Sequence, residues 1–95
     1  MNKSNLAFYS NLIKDYLDGE MTVLVFERVF PYVFTRDNDL SDKEYETLNP
    51  LFWGIENFVD DPNLRDEGDI NEIQLKEIAK GTFKKLAFFL HLKDC

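Results

Sequence analysis

Cysteine and histidine are almost absent from this 95-residue sequence. The single cysteine is the last residue, Cys95, so an internal disulfide cannot form and a secreted disulfide-stabilised scaffold is excluded. Because His91 is the only histidine, the sequence offers no pair of zinc ligands and little material for nucleophilic catalysis. We therefore expect a protein of a reducing cytoplasm that is not an enzyme, has no catalytic residues and holds no metal or cofactor.

Long hydrophobic runs are also missing. No stretch of about 20 apolar residues occurs, and the most apolar segment, 23–34, contains Glu27, Arg28 and Pro31. The beginning of the chain shows neither the apolar core nor the small-residue cleavage site of a signal peptide. We therefore expect no export, no membrane span and no membrane partner.

Basic residues are scarce in the middle of the chain. Segment 37–72 contains twelve acidic and two basic residues, a net charge of −10, whereas the rest has six acids and nine bases, a net of +3. Together they give the net charge of −7. Because the acidity is confined to one region, it creates a local negative field, which predicts a basic protein partner and argues against nucleic acid.

The first half of the chain contains signals for two helices. A first helix is predicted from Ser4, a plausible N-cap, to Asp18, with Gly19 as its C-terminal cap. A second is predicted from the N-cap Thr22 to about Phe34, and Pro31 is expected to kink or shorten it because proline removes one backbone donor.

The second half contains signals for two more helices. Capping boxes at Ser41/Glu44 and Asp69/Glu72 predict their starts, Pro50 should bend the third helix, and the segment 60–63 should end it. The faces expected to be buried are Tyr45, Leu48, Phe52, Ile55 and Val59 in helix three and Ile73, Ile78, Ala79, Leu86 and Leu90 in helix four.

Four amphipathic helices with short connections predict an all-α fold, an antiparallel four-helix bundle. The content of 44% apolar and 15% aromatic residues suits a single core, so we expect one domain over residues 1–95. The longest connection, 60–68, is also strongly charged, and such loops often carry recognition residues.

A calcium-binding loop is the sharper chemical alternative for this connection. The window 61–72 has oxygen-bearing residues at EF-hand positions one, three, seven, nine and twelve. Position five, however, is the cation Arg65, and position six is Asp66 where the turn needs glycine. We therefore expect no metal site.

Helix capping explains only part of the acidic region. Like charges close together destabilise the free protein, so a cluster that capping does not explain favours a partner that neutralises it. Trp53 and Asn57 lie off the predicted buried stripe, and an exposed tryptophan beside acids is a good interface anchor. The acids in that cluster are Glu56, Asp60, Asp61, Asp66 and Glu67.

Several short segments carry a family resemblance: Tyr16-Leu17-Asp18-Gly19, Thr22 with Phe26-Glu27, Leu40-Ser41, Leu51-Phe52, Glu56-x-Phe58, and Asp60 with Asp61. The Leu-Phe pair, the Glu-x-Phe motif and the acids that follow it are the most specific of these. Through these segments the sequence resembles, over nearly its whole length, the bacterial self-protective, colicin D immunity-like family, including immunity proteins of contact-dependent growth inhibition systems.

The resemblance implies a monomeric cytoplasmic bacterial protein that binds a cognate toxin one to one. The partner would be the basic C-terminal ribonuclease domain of that toxin, typically a tRNase, and no nucleic acid would be bound. The resemblance itself assigns Glu56, Asp60 and Asp61 to the interface. Charge and exposure add Asp66, Glu67, Asp69, Trp53 and, more weakly, Glu46.

Two other functions remain open from the sequence. The acidic face could serve an adaptor or regulator that binds another basic protein, which a toxin-rescue experiment would distinguish. A small metal-binding enzyme or sensor could use the loop 61–72, which calcium calorimetry would detect.

Overall fold

A computed structural model describes residues 6–94 of the chain, with side chains for residues 6–91. The helices are α1 (Leu6–Leu17), α2 (Val23–Arg36), α3 (Asp42–Glu56) and α4 (Glu72–Asp94), with a short 3₁₀ helix at Pro62–Leu64. Helices α1 and α3 each pack against both α2 and α4, so the four surround a common core. The predicted all-α four-helix arrangement is confirmed.

The turn after α1 is a Schellman motif, as predicted from Gly19. That glycine has φ of +82°, a left-handed conformation that other residues rarely adopt. Its N–H donates to the carbonyl of Tyr16 at 3.2 Å, and the N–H of Glu20 donates to the carbonyl of Asp15 at 2.8 Å. The N-cap predicted at Ser4 lies outside the described residues.

The N-cap of α2 is confirmed, and the helix ends two residues beyond the predicted end at about Phe34. The hydroxyl of Thr22 accepts a hydrogen bond from the backbone N–H three residues on, at 3.3 Å. Pro31 does not shorten the helix, which continues to Arg36. Proline removes a single donor, and the buried phenylalanines before and after it keep the helix on the core. Helix α3 likewise runs through Pro50.

The start of α3 is the predicted capping box. The Ser41 N–H donates to the Glu44 carboxylate at 2.9 Å, and the Glu44 N–H donates to the Ser41 hydroxyl at 3.2 Å. The helix ends at Glu56, before the acidic stretch that was expected to end it. The reason is long-range, because Phe58 leaves the helix to form an isolated parallel β-bridge with Ile70.

The capping box of α4 lies two residues later than predicted. The N–H of Asn71 donates to the Gln74 side chain, and the N–H of Gln74 donates to the Asn71 side chain, both at 2.9 Å. The predicted pair, Asp69 and Glu72, is used elsewhere. Asp69 accepts a hydrogen bond within the preceding loop, and Glu72 accepts one from Tyr16.

Aromatic side chains of α2 form the centre of the core. Phe26, Phe30 and Phe34 are buried and follow one another along one face of the helix. The ring of Tyr16 from α1 stacks on Phe26 with centroids 4.4 Å apart and an interplanar angle of 7°. On the other side, Phe34 packs on Phe52 of α3 at 5.3 Å. This row of aromatic side chains therefore connects α1 to α3.

Three residues of the predicted buried faces are misplaced. Tyr45 is half exposed at the rim of the core, where its ring stacks on Phe34, and Val59 lies beyond the end of α3. Ile73 is 75% exposed, because it lies on the opposite side of the helix from the buried Leu75. The buried stripe of α4 consists of Leu75, Ala79, Thr82 and Leu86, of which Ala79 and Leu86 were predicted.

Replacing Gly81 by alanine should stabilise the protein. Gly81 is an exposed position within α4, and a Cβ added there meets no atom within 4 Å. Because glycine weakens a helix interior, Gly81→Ala should raise the free energy of unfolding by about 0.5–1 kcal/mol in urea denaturation.

Gly54→Ala is the matched control for this substitution. It gives the same gain in helix propensity, from glycine to alanine, within α3. The Cβ added there, however, would lie 3.1 Å from Cδ1 of Ile78. It should therefore stabilise less than Gly81→Ala, or destabilise. Equal effects of the two variants would contradict the packing described for these positions.

Candidate functional site

The acidic segment, residues 37–72, is tied to α1 near both of its ends. The hydroxyl of the buried Tyr9 donates to the carboxylate of Asp37 at 2.8 Å, and that of the buried Tyr16 donates to Glu72 at 3.1 Å. Burial raises the pKa of both tyrosines above the ordinary value, and the neighbouring carboxylates raise it further. Two hydrogen bonds from one helix thus fix where the acidic segment begins and ends.

Within that segment, the acidic loop (residues 57–71) has a fixed backbone. At its base, the N–H of Ile70 donates to the carbonyl of Asn57 at 2.9 Å, and the N–H of Val59 donates to the carbonyl of Ile70 at 3.1 Å. Across the loop, Arg65 donates from Nε to the carbonyl of Val59 at 2.7 Å and from Nη2 to that of Asp60 at 3.1 Å. The loop is thus held closed both by backbone hydrogen bonds at its base and by the side chain of Arg65.

Two acids predicted to bind a partner take part in the structure of the loop. A carboxylate oxygen of Asp61 accepts from the N–H of Asn63 at 2.9 Å and caps the 3₁₀ helix. A carboxylate oxygen of Asp69 accepts from the N–H of Asp66 at 2.8 Å. Both residues therefore shape the loop, whatever else they contact.

The other predicted acids near the loop have no such role. Glu56, Asp60, Asp66 and Glu67 are exposed. Among the side chains that the structure describes, none gives these four carboxylates a hydrogen bond or an ion pair. They extend the acidic face into solvent, where a basic surface can reach them.

Trp53 and Glu46 lie on the exposed face of α3. Trp53 is 56% exposed, as predicted. Its ring forms a T-shaped contact with the ring of Phe52, with centroids 5.7 Å apart. Asn57, four residues on, is exposed as well. Glu46 lies on the same face but about 16 Å along the helix axis from Asn57. The structure thus places Trp53 beside the acidic loop and leaves Glu46 at a distance.

Two exposed apolar residues in this region were not predicted. Leu64 ends the 3₁₀ helix and is 70% exposed, and Ile73 lies in the first turn of α4. The Asn71/Gln74 pair is one of two overlapping capping-box signals for the start of α4, and it does not by itself predict that Ile73 is exposed. Nothing in the local sequence marked Leu64.

The predicted alternative at the loop was a metal site. Among the side chains of residues 6–91, no group of three or more His, Cys, Asp or Glu residues is arranged to hold a metal ion. In the EF-hand window, Arg65 is directed at backbone carbonyls and Glu72 at Tyr16. None of the described helices is long and apolar enough to cross a membrane.

Comparison with protein families places most of the chain in one family. The family model for bacterial self-protective colicin-like immunity matches residues 5–86, which include the acidic loop and most of the bundle. The chain belongs to this family. No curated protein and no solved structure matches it. The family gives the immunity protein a role in protection against a toxin, and such families are generally non-enzymatic.

The two buried tyrosines should make the immunity protein sensitive to alkaline pH. Because their pKa is raised in the folded state, their contribution to stability is complete below about pH 10, the ordinary tyrosine pKa, and is lost as pH rises above it. As pH rises above about 10, the free energy of unfolding should fall by about 1.4 kcal/mol per pH unit for each of the two tyrosines.

Urea denaturation followed by circular dichroism at pH 8 and pH 11 tests this dependence. At pH 8, Tyr9→Phe and Tyr16→Phe should each lower the free energy of unfolding by about 1 kcal/mol, because each substitution removes a hydrogen bond. Between pH 8 and pH 11, the free energy of unfolding of each variant should fall less than that of the wild type. Tyr32→Phe is the control, because that side chain is 60% exposed. If all three variants kept the wild-type pH dependence, the buried hydroxyls would not be its source.

Proposed function

We propose that this immunity protein binds and neutralises the nuclease domain of a cognate bacterial toxin, a tRNA-cleaving ribonuclease of the colicin D or contact-dependent inhibition type. A nuclease that binds tRNA presents lysine and arginine side chains to the phosphates. An acidic surface of complementary shape can cover the same cleft and block it without chemistry. Since the substrate of such a toxin is cytoplasmic, we place the immunity protein in the bacterial cytoplasm.

One observation supports this proposal above the others. In a member of an immunity family, four exposed acids with no hydrogen bond or ion pair to any described side chain lie in or directly before a loop whose backbone is held by hydrogen bonds. Such a loop loses little conformational freedom on binding, so more of the electrostatic attraction contributes to affinity. The four acids are Glu56, Asp60, Asp66 and Glu67.

The predicted site residues then divide into three roles. The four exposed acids accelerate association with a basic cleft. Trp53, supported by Phe52, provides the apolar anchor that slows dissociation. Asp61 and Asp69 preserve the loop and add charge, and Glu46 contributes at most at the rim. We expect one immunity protein monomer per toxin domain.

A tRNA-cleavage assay with the nuclease domain encoded beside this gene tests the proposal. One molar equivalent of the immunity protein should abolish cleavage, with a Kd in the nanomolar range or tighter, about −12 kcal/mol. The association rate should fall steeply as salt is added. Tight binding without inhibition would mean docking away from the active site. No binding would favour an adaptor that uses the same acidic face.

Neutralising Asp60 and Asp61 together should reduce the association rate about ten-fold at low salt. In Asp60→Asn/Asp61→Asn, the amide oxygen at position 61 can still accept the hydrogen bond from Asn63, so the loop is kept. Glu20→Gln/Glu27→Gln removes the same charge outside the acidic segment and is the control. Stopped-flow association kinetics measure both, and unchanged rate and affinity in the first variant would refute this surface.

A further inference from the structure

Arg65 is a cation in the middle of an acidic surface. Segment 37–72 has only one other basic residue, Lys43. Arg65 is half-buried, and it forms no ion pair with any carboxylate that the structure describes. If the surface binds a basic partner by charge alone, this arginine opposes the function. Its presence there needs a different physical reason.

The hydrogen bonds of Arg65 suggest that reason. Its guanidinium reaches back across the 3₁₀ helix to the carbonyls of Val59 and Asp60. Val59 is also held through its N–H, which donates to Ile70 at the base of the loop. The planar guanidinium can donate to two neighbouring carbonyls from fixed positions, which the single ammonium of lysine does less well.

The acids of the loop repel one another and favour an opened loop. Four exposed acidic residues lie within eight positions of the sequence, namely Asp60, Asp61, Asp66 and Glu67. The two carbonyl contacts of Arg65 oppose this opening at the point where the chain leaves α3. An opened loop would have to be ordered during binding, which would weaken the complex.

We propose that Arg65 is a positioning residue that fixes the acidic loop in the shape in which it meets the toxin. This inference rests on the proposed function. It assigns Arg65 no contact with the toxin, and its effect is exerted through Val59 and Asp60.

Substitution of Arg65 distinguishes charge from positioning by the sign of the effect. Arg65→Ala makes the surface more negative, so charge alone predicts faster association and tighter binding. Positioning predicts the opposite, a dissociation rate at least ten-fold higher. Arg65→Lys keeps the charge but loses the paired donors, so it should also weaken binding. The control Arg28→Ala makes the same charge change on the exposed face of α2 and should not weaken it.

A second measurement on the free protein does not depend on the toxin. In Arg65→Ala and Arg65→Lys, amide hydrogen exchange of Val59 and Ile70 at the loop base should be at least ten-fold faster than in the wild type. The urea midpoint should stay unchanged, because Arg65 lies outside the core cluster of the bundle. Arg28→Ala should exchange like the wild type at both positions.

The outcomes separate this inference from the proposed function. If the nuclease domain encoded beside this gene does not bind the wild-type protein, the proposed function fails and this inference with it. If the wild type binds and Arg65→Ala binds as tightly or more tightly, the positioning role is overturned and the function stands. Weaker binding with unchanged exchange would also overturn it, because Arg65 would then act by touching the toxin.

Discussion

The buried phenylalanines of α2 hold the neighbouring helices of the bundle together. Phe26 stacks on Tyr16 of α1, Phe30 packs near Tyr9, and Phe34 contacts Phe52 of α3. Because each of these phenylalanines is buried, each contributes roughly 1.5–3 kcal/mol of hydrophobic stabilisation. Without these phenylalanines, α1 and α3 would lose the contacts through which both pack on α2, and the acidic loop that follows α3 would lose its position.

The same aromatic contacts support the proposed toxin-binding surface. The ring of Phe52 supports Trp53 at the surface, so a proposed anchor for the toxin contacts a partly buried residue that packs against the core. The hydroxyls of Tyr9 and Tyr16 extend from the core to carboxylates near the two ends of the acidic segment. Mutual repulsion of the acids is thereby confined to the loop. Arg65 and the β-bridge at the base of the loop hold its backbone closed. In the proposed complex, a basic cleft relieves that repulsion.

Much of the fold was predictable because helix starts and stops are local signals. Gly19, Thr22 and the Ser41/Glu44 box each act over three or four residues, and the structure confirms all three. The concentration of acids in one segment and the family resemblance are also properties of the linear chain. Which acids accept a hydrogen bond within the loop was not predicted: Asp61 accepts one from the N–H of Asn63, whereas Asp60, which is also exposed, accepts none from the described residues.

The sequence by itself determined four amphipathic helices, their local caps and an acidic centre, since each depends on residues close together in the chain. Tertiary structure alone decided where α3 ends and where α4 begins. Two capping boxes overlap at that point, and local chemistry does not distinguish them. The choice was made by the pairing of Phe58 with Ile70 and by the burial of Leu75 instead of Ile73. It was also fixed by the Tyr16–Glu72 hydrogen bond, whose partners are 56 positions apart and adjacent only in the folded protein.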